Sequence, residues 1–400
     1  MGSICTMINI DYKSYIFSLA AGFMVLSCGL LESNGNNSIP AHSVYVALQG
    51  LDQIGIVNTD TGEMTSIDID FETIVMDGDM NMGDHTPHFI VIDEINRYWF
   101  VTTIMSGFIA RYDLVTNTLI DKIALGDLPA LMVLNENDKK LYVSRMMPMT
   151  GMAGSESTIV QEIDYSNPEI MTLSNEFIIG SPTPHGLGIN SDGTEVYVAS
   201  NTADWIYKIN ILTGEISGKV MDVSIGNTPD IVTQRLKPIQ IISVEDSLLF
   251  VTCSSGEWYD YINQKFVHIP GQIQLWNSNS MTLIDSLQLD WRASPWHIIP
   301  SPNSRMVYVA LKGDLDYPGS AGVISISFEF DNLSLEDQKY SEAFQTLHGI
   351  DIASDGKTLF VSGRRDGHLH IFNSSDLKLL KSIPLGENYH TALAGGVKVK

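Results

Sequence analysis

From residue 43 onward the chain alternates short apolar runs, rich in Val, Ile, Tyr and Phe, with short polar turns. Runs of this length and composition read as β-strands. They also repeat. Val196-Tyr197-Val198 begins eleven residues after His185, in the phrase Thr183-Pro184-His185-Gly186-Leu187. At the same spacing Trp99-Phe100-Val101 follows His88, Leu141-Tyr142-Val143 follows Ala130, Val307-Tyr308-Val309 follows Trp296, and Leu359-Phe360-Val361 follows His348. Leu249-Phe250-Val251 sets a further marker at Pro238, and His390 opens a last run with no partner strand after it. In the unit that opens at His185, strands are expected at 185–190, 195–200, 204–210 and 214–221. Asn190-Ser191-Asp192-Gly193 makes the first turn and Leu212-Thr213-Gly214 the last. Nothing reads as a long amphipathic helix.

Seven markers spaced about 40–60 residues apart have the period of propeller blades. The expected fold is all-β: a seven-bladed β-propeller of four-stranded antiparallel blades. Ser43-Val44-Tyr45-Val46-Ala47 is already the second strand of a repeat, so residues 390–399 must supply the missing inner strand. Pairing the two chain ends closes the ring and removes its open edges. The phrases at residues 44–64, 196–216 and 359–380, of the form Tyr-Val-Ala-Ser-Asn, Ile-Tyr-Lys-Ile-Asn and Thr-Gly-Glu-Ile, resemble the YVTN-type propeller repeat family. The resemblance covers nearly all of the chain after residue 42. It implies a mainly extracytoplasmic bacterial or archaeal protein, within a family of diverse functions.

The N-terminal segment fits that compartment. Lys13 precedes an apolar run over residues 15–26 that ends Val25-Leu26-Ser27-Cys28. The run is short for a membrane span and reads as a secretory signal. It resembles a bacterial lipobox, which would make Cys28 the lipidated first residue; Gly29 after it leans toward the outer membrane. An ordinary signal peptide or an uncleaved anchor is the alternative, and Met7 is a second candidate start. Residues 1–27 are then signal, 28–42 a flexible tether and 43–400 the propeller. With Cys5 removed and Cys28 acylated, Cys253 is left alone and no intramolecular disulfide is expected.

Charge narrows the function. The chain carries 47 acidic against 23 basic residues, a net charge of −24. Nucleic-acid binding needs a basic surface, so it is excluded; contact with a membrane is expected through the lipid anchor only. No phosphate-binding glycine loop, serine elbow or His-Glu-x-x-His is present. Asp314, Asp316 and Glu257 are candidate acids, with nothing in the sequence to set their separation.

The repeat also predicts which residues meet. The loop leading into each inner strand and the loop between strands two and three lie on one face. His88, His185, His348 and His390 are therefore expected around one mouth of the central channel, with Trp296 and His297 at another station. The leading loop over residues 71–87 adds Met80, Met82 and His85; the loop over 145–157 adds Met146, Met147, Met149 and Met152. Thioether and imidazole together suit copper, and Met80-Asn81-Met82-Gly83-Asp84-His85 is similar to the Met- and His-rich segments of copper-handling proteins. Nitrous oxide reductase likewise hangs copper at a propeller hub, but its paired-His motif and second domain are absent here. The plainer reading is that each histidine bonds the neighbouring blade and that Met fills gaps. Asp77, Asp79 and Asn81 have calcium-loop spacing, but the glycine comes late at Gly83 and His88 replaces the bidentate Glu, so calcium is the weaker expectation beside a solvated loop. Trp296, His297, His268, Arg364 and Arg365 are candidate ligand contacts, the Arg pair for an anion; a solvated turn is the plainer reading of that pair. Three readings follow: a module binding a metal ion or small molecule at the hub, a cell-surface scaffold for another protein, and a metal- or cofactor-dependent oxidoreductase.

Overall fold

The computed structural model describes residues 42–71, 84–126, 128–145, 157–222, 233, 235–245, 247–260 and 262–400. These residues form seven four-stranded antiparallel sheets and one two-stranded hairpin. The sheets are propeller blades. In the unit that opens at His185 the strands are Pro184–Ile189, Glu195–Ser200, Trp205–Asn210 and Ile216–Val220, close to the sequence expectation. The ring closes as the repeat predicts. Ala394–Val399 pairs antiparallel with Ser43–Leu48 and becomes the inner strand of the first blade.

The seven inner strands are Ala394–Val399, Pro87–Asp93, Pro129–Asn135, Pro184–Ile189, Pro238–Val244, Pro295–Pro300 and Leu347–Ile352. Each is preceded by a non-glycine residue in the left-handed region: Leu393, Thr86, Leu128, Thr183, Lys237, Ser294 and Thr346, with φ between 47° and 59°. Each such residue costs about 1–2 kcal/mol of backbone energy. The turn persists because hydrogen bonds hold it. In five blades the residue just past the second strand donates its N–H to the left-handed residue's carbonyl: Ile104 to Thr86 (3.1 Å), Asn201 to Thr183 (3.1 Å), Ser254 to Lys237 (3.1 Å), Lys312 to Ser294 (3.0 Å) and Arg364 to Thr346 (2.9 Å). These bonds bring the leading loop and the loop after strand two to one face.

Blades are joined by buried side-chain bonds as well as by apolar packing. Thr102, Thr252 and Ser362, at the same position of their second strands, donate their hydroxyls to the next inner strand: Ala130 O (2.7 Å), Trp296 O (2.5 Å) and Gly395 O (2.6 Å). Ala199 holds this position in the fourth blade and has no hydroxyl to offer. There His185 does the work: its Nδ1–H donates to Ile239 O at 2.7 Å. Each bridge satisfies a buried carbonyl that water cannot reach. Between blades, the apolar faces pack in clusters such as Tyr45, Trp99 and Tyr112, or Phe250, Ile298 and Phe328.

The register corrects one marker and relocates another. Pro238 pairs with Cys253 fifteen positions on, where Pro184 pairs with Ser200 sixteen on, so the turn in the fifth blade is one residue shorter and Ile239 is the true marker. His390 is not on the closing strand. It lies in the short 3-10 turn Tyr389–Thr391 and is exposed, four residues before the strand begins. The residue that matches His88 is Gly395.

Candidate functional site

Two rings of residues line the hub on the loop face. The deeper ring is the second residue of each inner strand: Gly395, His88, Ala130, His185, Ile239, Trp296 and His348. Above it lies the first residue after each second strand. Its described members are Gln49, Ile104, Asn201, Ser254, Lys312 and Arg364.

The deeper ring gathers three of the expected histidines. His88 and His348 meet edge-to-face at 5.4 Å. A fourth joins them: the bulge between Pro295 and Ile298 lets Trp296 and His297 both turn to the hub, where His297 packs on His348 at 4.9 Å and on Phe89 at 5.8 Å. All four imidazoles are buried. Burial is the first cause that holds them neutral. His185 is pushed down to about 4 and His297 to about 3, and His88 and His348 lie well below the usual range. His185 thus realises the plain reading of a histidine bonded to its neighbouring blade. His88 Nε2, His185 Nε2, His297 Nε2 and His348 Nδ1 are buried with no protein partner.

This layer predicts acid sensitivity. The four histidines bind protons near pH 6.5 when unfolded but only far lower when folded. Their stabilisation is therefore complete above pH 6.5 and is lost as pH falls toward 4 and 3. Replacing His297 with Phe, which suits the Phe89 and His348 contacts, is expected to flatten the stability slope between pH 6 and 4.5 by about 1.4 kcal/mol per pH unit, one proton's worth. Urea titrations across that range check it; an unchanged slope would mean that His297 already titrates normally in the fold.

The remaining members of the metal expectation are not brought into this layer. His85 packs on Phe71 at 5.2 Å, and its Nε2 accepts from the Phe71 N–H at 3.2 Å. His390 packs at a tilt against Tyr389 at the surface, because the closing strand starts only at Ala394. Met80 and Met82, like Asp77, Asp79, Asn81 and residues 146–156, lie outside the described residues. Among the described residues no group of three or more His, Cys, Asp or Glu is disposed to hold a metal ion.

Directly above the histidines opens a cavity of about 770 Å³. Its floor includes His88, His348 and Trp296, and its walls carry Gln49, Lys312, Arg364 and Arg365. Arg364 donates through Nη1 to Gln49 Oε1 and to Leu393 O (3.3 Å). Gln49 Nε2 in turn donates to His88 Nδ1 at 2.5 Å, which places the His88 proton on Nε2. Arg364 is thereby held across the seam where the chain ends meet. Lys312 places Nζ over the Trp296 ring, 4.7 Å from its centre. Burial lowers both cations: Arg364 falls to about 10, and Lys312 is lowered further by the charges of Lys237 and Arg364. Among the described residues neither has a carboxylate within ion-pair distance. Arg365 is exposed, as a solvated turn predicts; Arg364 is not.

The far wall is aromatic. The hairpin Gly256–Asp260 and Lys265–Ile269 is inserted between the second and third strands of the fifth blade. It presents His268, stacked on Trp291 at 3.9 Å and nearly parallel. Trp291 meets Tyr317 edge-on at 5.5 Å. Lys312, Gln49 and Trp291 escaped the sequence reading. For the first two the signal was register: Val309-Ala310-Leu311-Lys312, Val46-Ala47-Leu48-Gln49 and Val361-Ser362-Gly363-Arg364 end at one repeat position.

No family model and no curated protein matches the chain. Solved structures do resemble it. A functionally unknown protein from Desulfotomaculum acetoxidans shares 14% identity over 90% of this chain and 99% of its own, with a TM-score of 0.64. Hydrazine synthase of Kuenenia stuttgartiensis shares 14% over 83% and 99%, with a TM-score of 0.60. Dihydro-heme d1 dehydrogenase NirN shares 11% over 92% and 78%, with a TM-score of 0.55. At such identities the likeness shows the β-propeller fold alone.

Proposed function

We propose that this propeller is a binding module for a small anion, a carboxylate or a phosphate, taken at the hub mouth by Lys312 and Arg364. One observation carries the reading. In a chain of net charge −24, two partly buried cations on adjacent blades face a ligand-sized cavity, and among the described residues neither has a carboxylate at ion-pair distance, although Glu257, Asp314 and Asp316 also line the cavity and Asp314 acts on Lys312 from further off. Partial withdrawal from water and the neighbouring cations both disfavour the charged forms of Lys312 and Arg364. An anion in the cavity would relieve that cost, and Arg364 offers the planar fork that carboxylates and phosphates fit.

The test is calorimetric titration of the full chain with inorganic phosphate and acetate, and with Cu(I) in parallel. Anion binding that falls at least tenfold in Arg364→Gln, with an unchanged melting temperature, is the expected result. Stoichiometric copper lost in a His88→Ala/His185→Ala/His348→Ala variant, with no anion binding, would move the function to the histidine layer. Binding of neither would turn the search to protein partners at the cell surface.

The repeat phrases support placing the chain among YVTN-type propellers. The Leu26-Ser27-Cys28 signal, outside the described residues, supports an extracytoplasmic protein anchored through lipid on Cys28, with the outer membrane favoured. Palmitate labelling should mark the wild type and be lost in Cys28→Ala; equal labelling of the two would remove the anchor.

A further inference from the structure

We propose that the anion taken at the hub mouth carries an aromatic ring, which lodges against the wall formed by His268, Trp291, Tyr317 and Trp296. The inference rests on the anion reading above and adds the ligand's other half. The cations occupy only one side of the cavity. The other side carries flat rings, with Glu257, Asp314 and Asp316 among them, and three of the rings are left partly uncovered although each is large enough to bury: Trp291 is half-buried, Tyr317 is 44% exposed and His268 has half its side chain exposed. Leu315, also on the cavity wall, is 57% exposed. Exposed aromatic surface gathered in a concavity marks a ligand site rather than ordinary surface.

The rings are held in fixed attitudes, so the wall is formed before any ligand arrives. One face of Trp291 is covered by His268, and Tyr317 stands on its edge. Arg292 keeps the pair in place: it is bonded to Asp290 at 2.7 Å, and its guanidinium lies 5.1 Å from the Tyr317 ring and 5.7 Å from Trp291. Asp290 satisfies Arg292, so this cation does not compete with Lys312 and Arg364 for the anion. The exposed parts of His268 and Tyr317 are left for a planar partner, which gains offset or edge-to-face contact that a puckered ring cannot match. The volume of about 770 Å³ is within the range of small-molecule sites and leaves room for a ring beyond the anionic group.

Matched pairs isolate the ring from its hydrophobicity and the anion from its source. The full chain is titrated with phenyl phosphate against cyclohexyl phosphate, and with phenylacetate against cyclohexylacetate; inorganic phosphate and acetate report the anion alone. The expected result is at least tenfold tighter binding of the aromatic member of a pair. That preference should vanish in Tyr317→Ala, whose affinity for the bare anion should stay at the wild-type value. Arg364→Gln should weaken every probe. Whichever pair binds more tightly identifies the anionic group as phosphate or carboxylate. Equal affinity for the planar and saturated members, still lost in Arg364→Gln, would overturn the aromatic inference and leave the anion reading standing. Failure of every probe would overturn both. Trp291→Leu gives a second reading of the wall should Tyr317→Ala unfold.

Discussion

Changing Gln49 to Glu is expected to weaken anion binding at the hub mouth by at least about tenfold while leaving the propeller folded. Gln49 Oε1 accepts from Arg364, and Glu is its isostere. The substitution therefore sets a carboxylate on the guanidinium in place of an amide. The resulting bond is charge-assisted and about twice as strong as the one it replaces. It occupies and neutralises the cation that the ligand needs. The second bond of Gln49 survives in altered form: His88, neutral and with Nε2 unpartnered, can move its proton to Nδ1 and donate to the new carboxylate. Loss of one charge-assisted contact of about 1.5–3 kcal/mol corresponds to roughly a 10- to 100-fold weaker Kd, and repulsion by the new carboxylate adds to it. Titration calorimetry beside a thermal melt checks the prediction. An unchanged Kd would mean that the ligand does not use Arg364, and the anion reading would fail.

Removing the closing strand, residues 394–400, should unfold the ring. Val44, Val46 and Leu48 of the facing strand are fully buried and would become an open apolar edge. The strand also covers Asp351, whose carboxylate accepts from Val399 N (2.8 Å) and pairs with Lys398 (3.2 Å). Both contacts of Asp351 are lost together with the apolar cover of Val44, Val46 and Leu48, against a total stability that for a typical domain is only about 5–15 kcal/mol. Exposed edges also pair between molecules, so the truncated chain is expected in the insoluble fraction. A gentler change tests the same seam. A Cβ on Gly396 would stand 2.8 Å from His88 O and 3.0 Å from Phe89 Cα, so Gly396→Val should lower the melting temperature markedly. A soluble truncated chain with a cooperative melt would show that the ring does not depend on its closure.

The blades were legible in the sequence because strand period and blade period are both local. Val-Tyr-Val phrases at a constant distance from Pro-His phrases need no tertiary information to count. The deeper histidine ring was legible for the same reason, since His88, His185 and His348 occupy one repeat position. Where residue type was followed instead of register, the reading slipped. By residue type His390 reads as the seventh marker, yet the feature shared by all seven inner strands is the left-handed residue just before them, there Leu393. The position matching His88 holds Gly395, whose missing side chain lets the closing strand approach His88 O.

The sequence by itself determined the fold class, the blade count, the ring closure and the face on which the loops gather, because each follows from a pattern repeated along the chain. Only the tertiary structure decided what the hub offers a ligand. Lys312 and Arg364 lie on separate blades, Gln49 comes from the other end of the chain, and His268 arrives on an inserted hairpin that the repeat does not specify. Their burial, and with it the lowered pKa of the two cations and the neutrality of the four histidines, depends on what surrounds them in space. Desolvation is a property of that environment and is not written in any single stretch of residues.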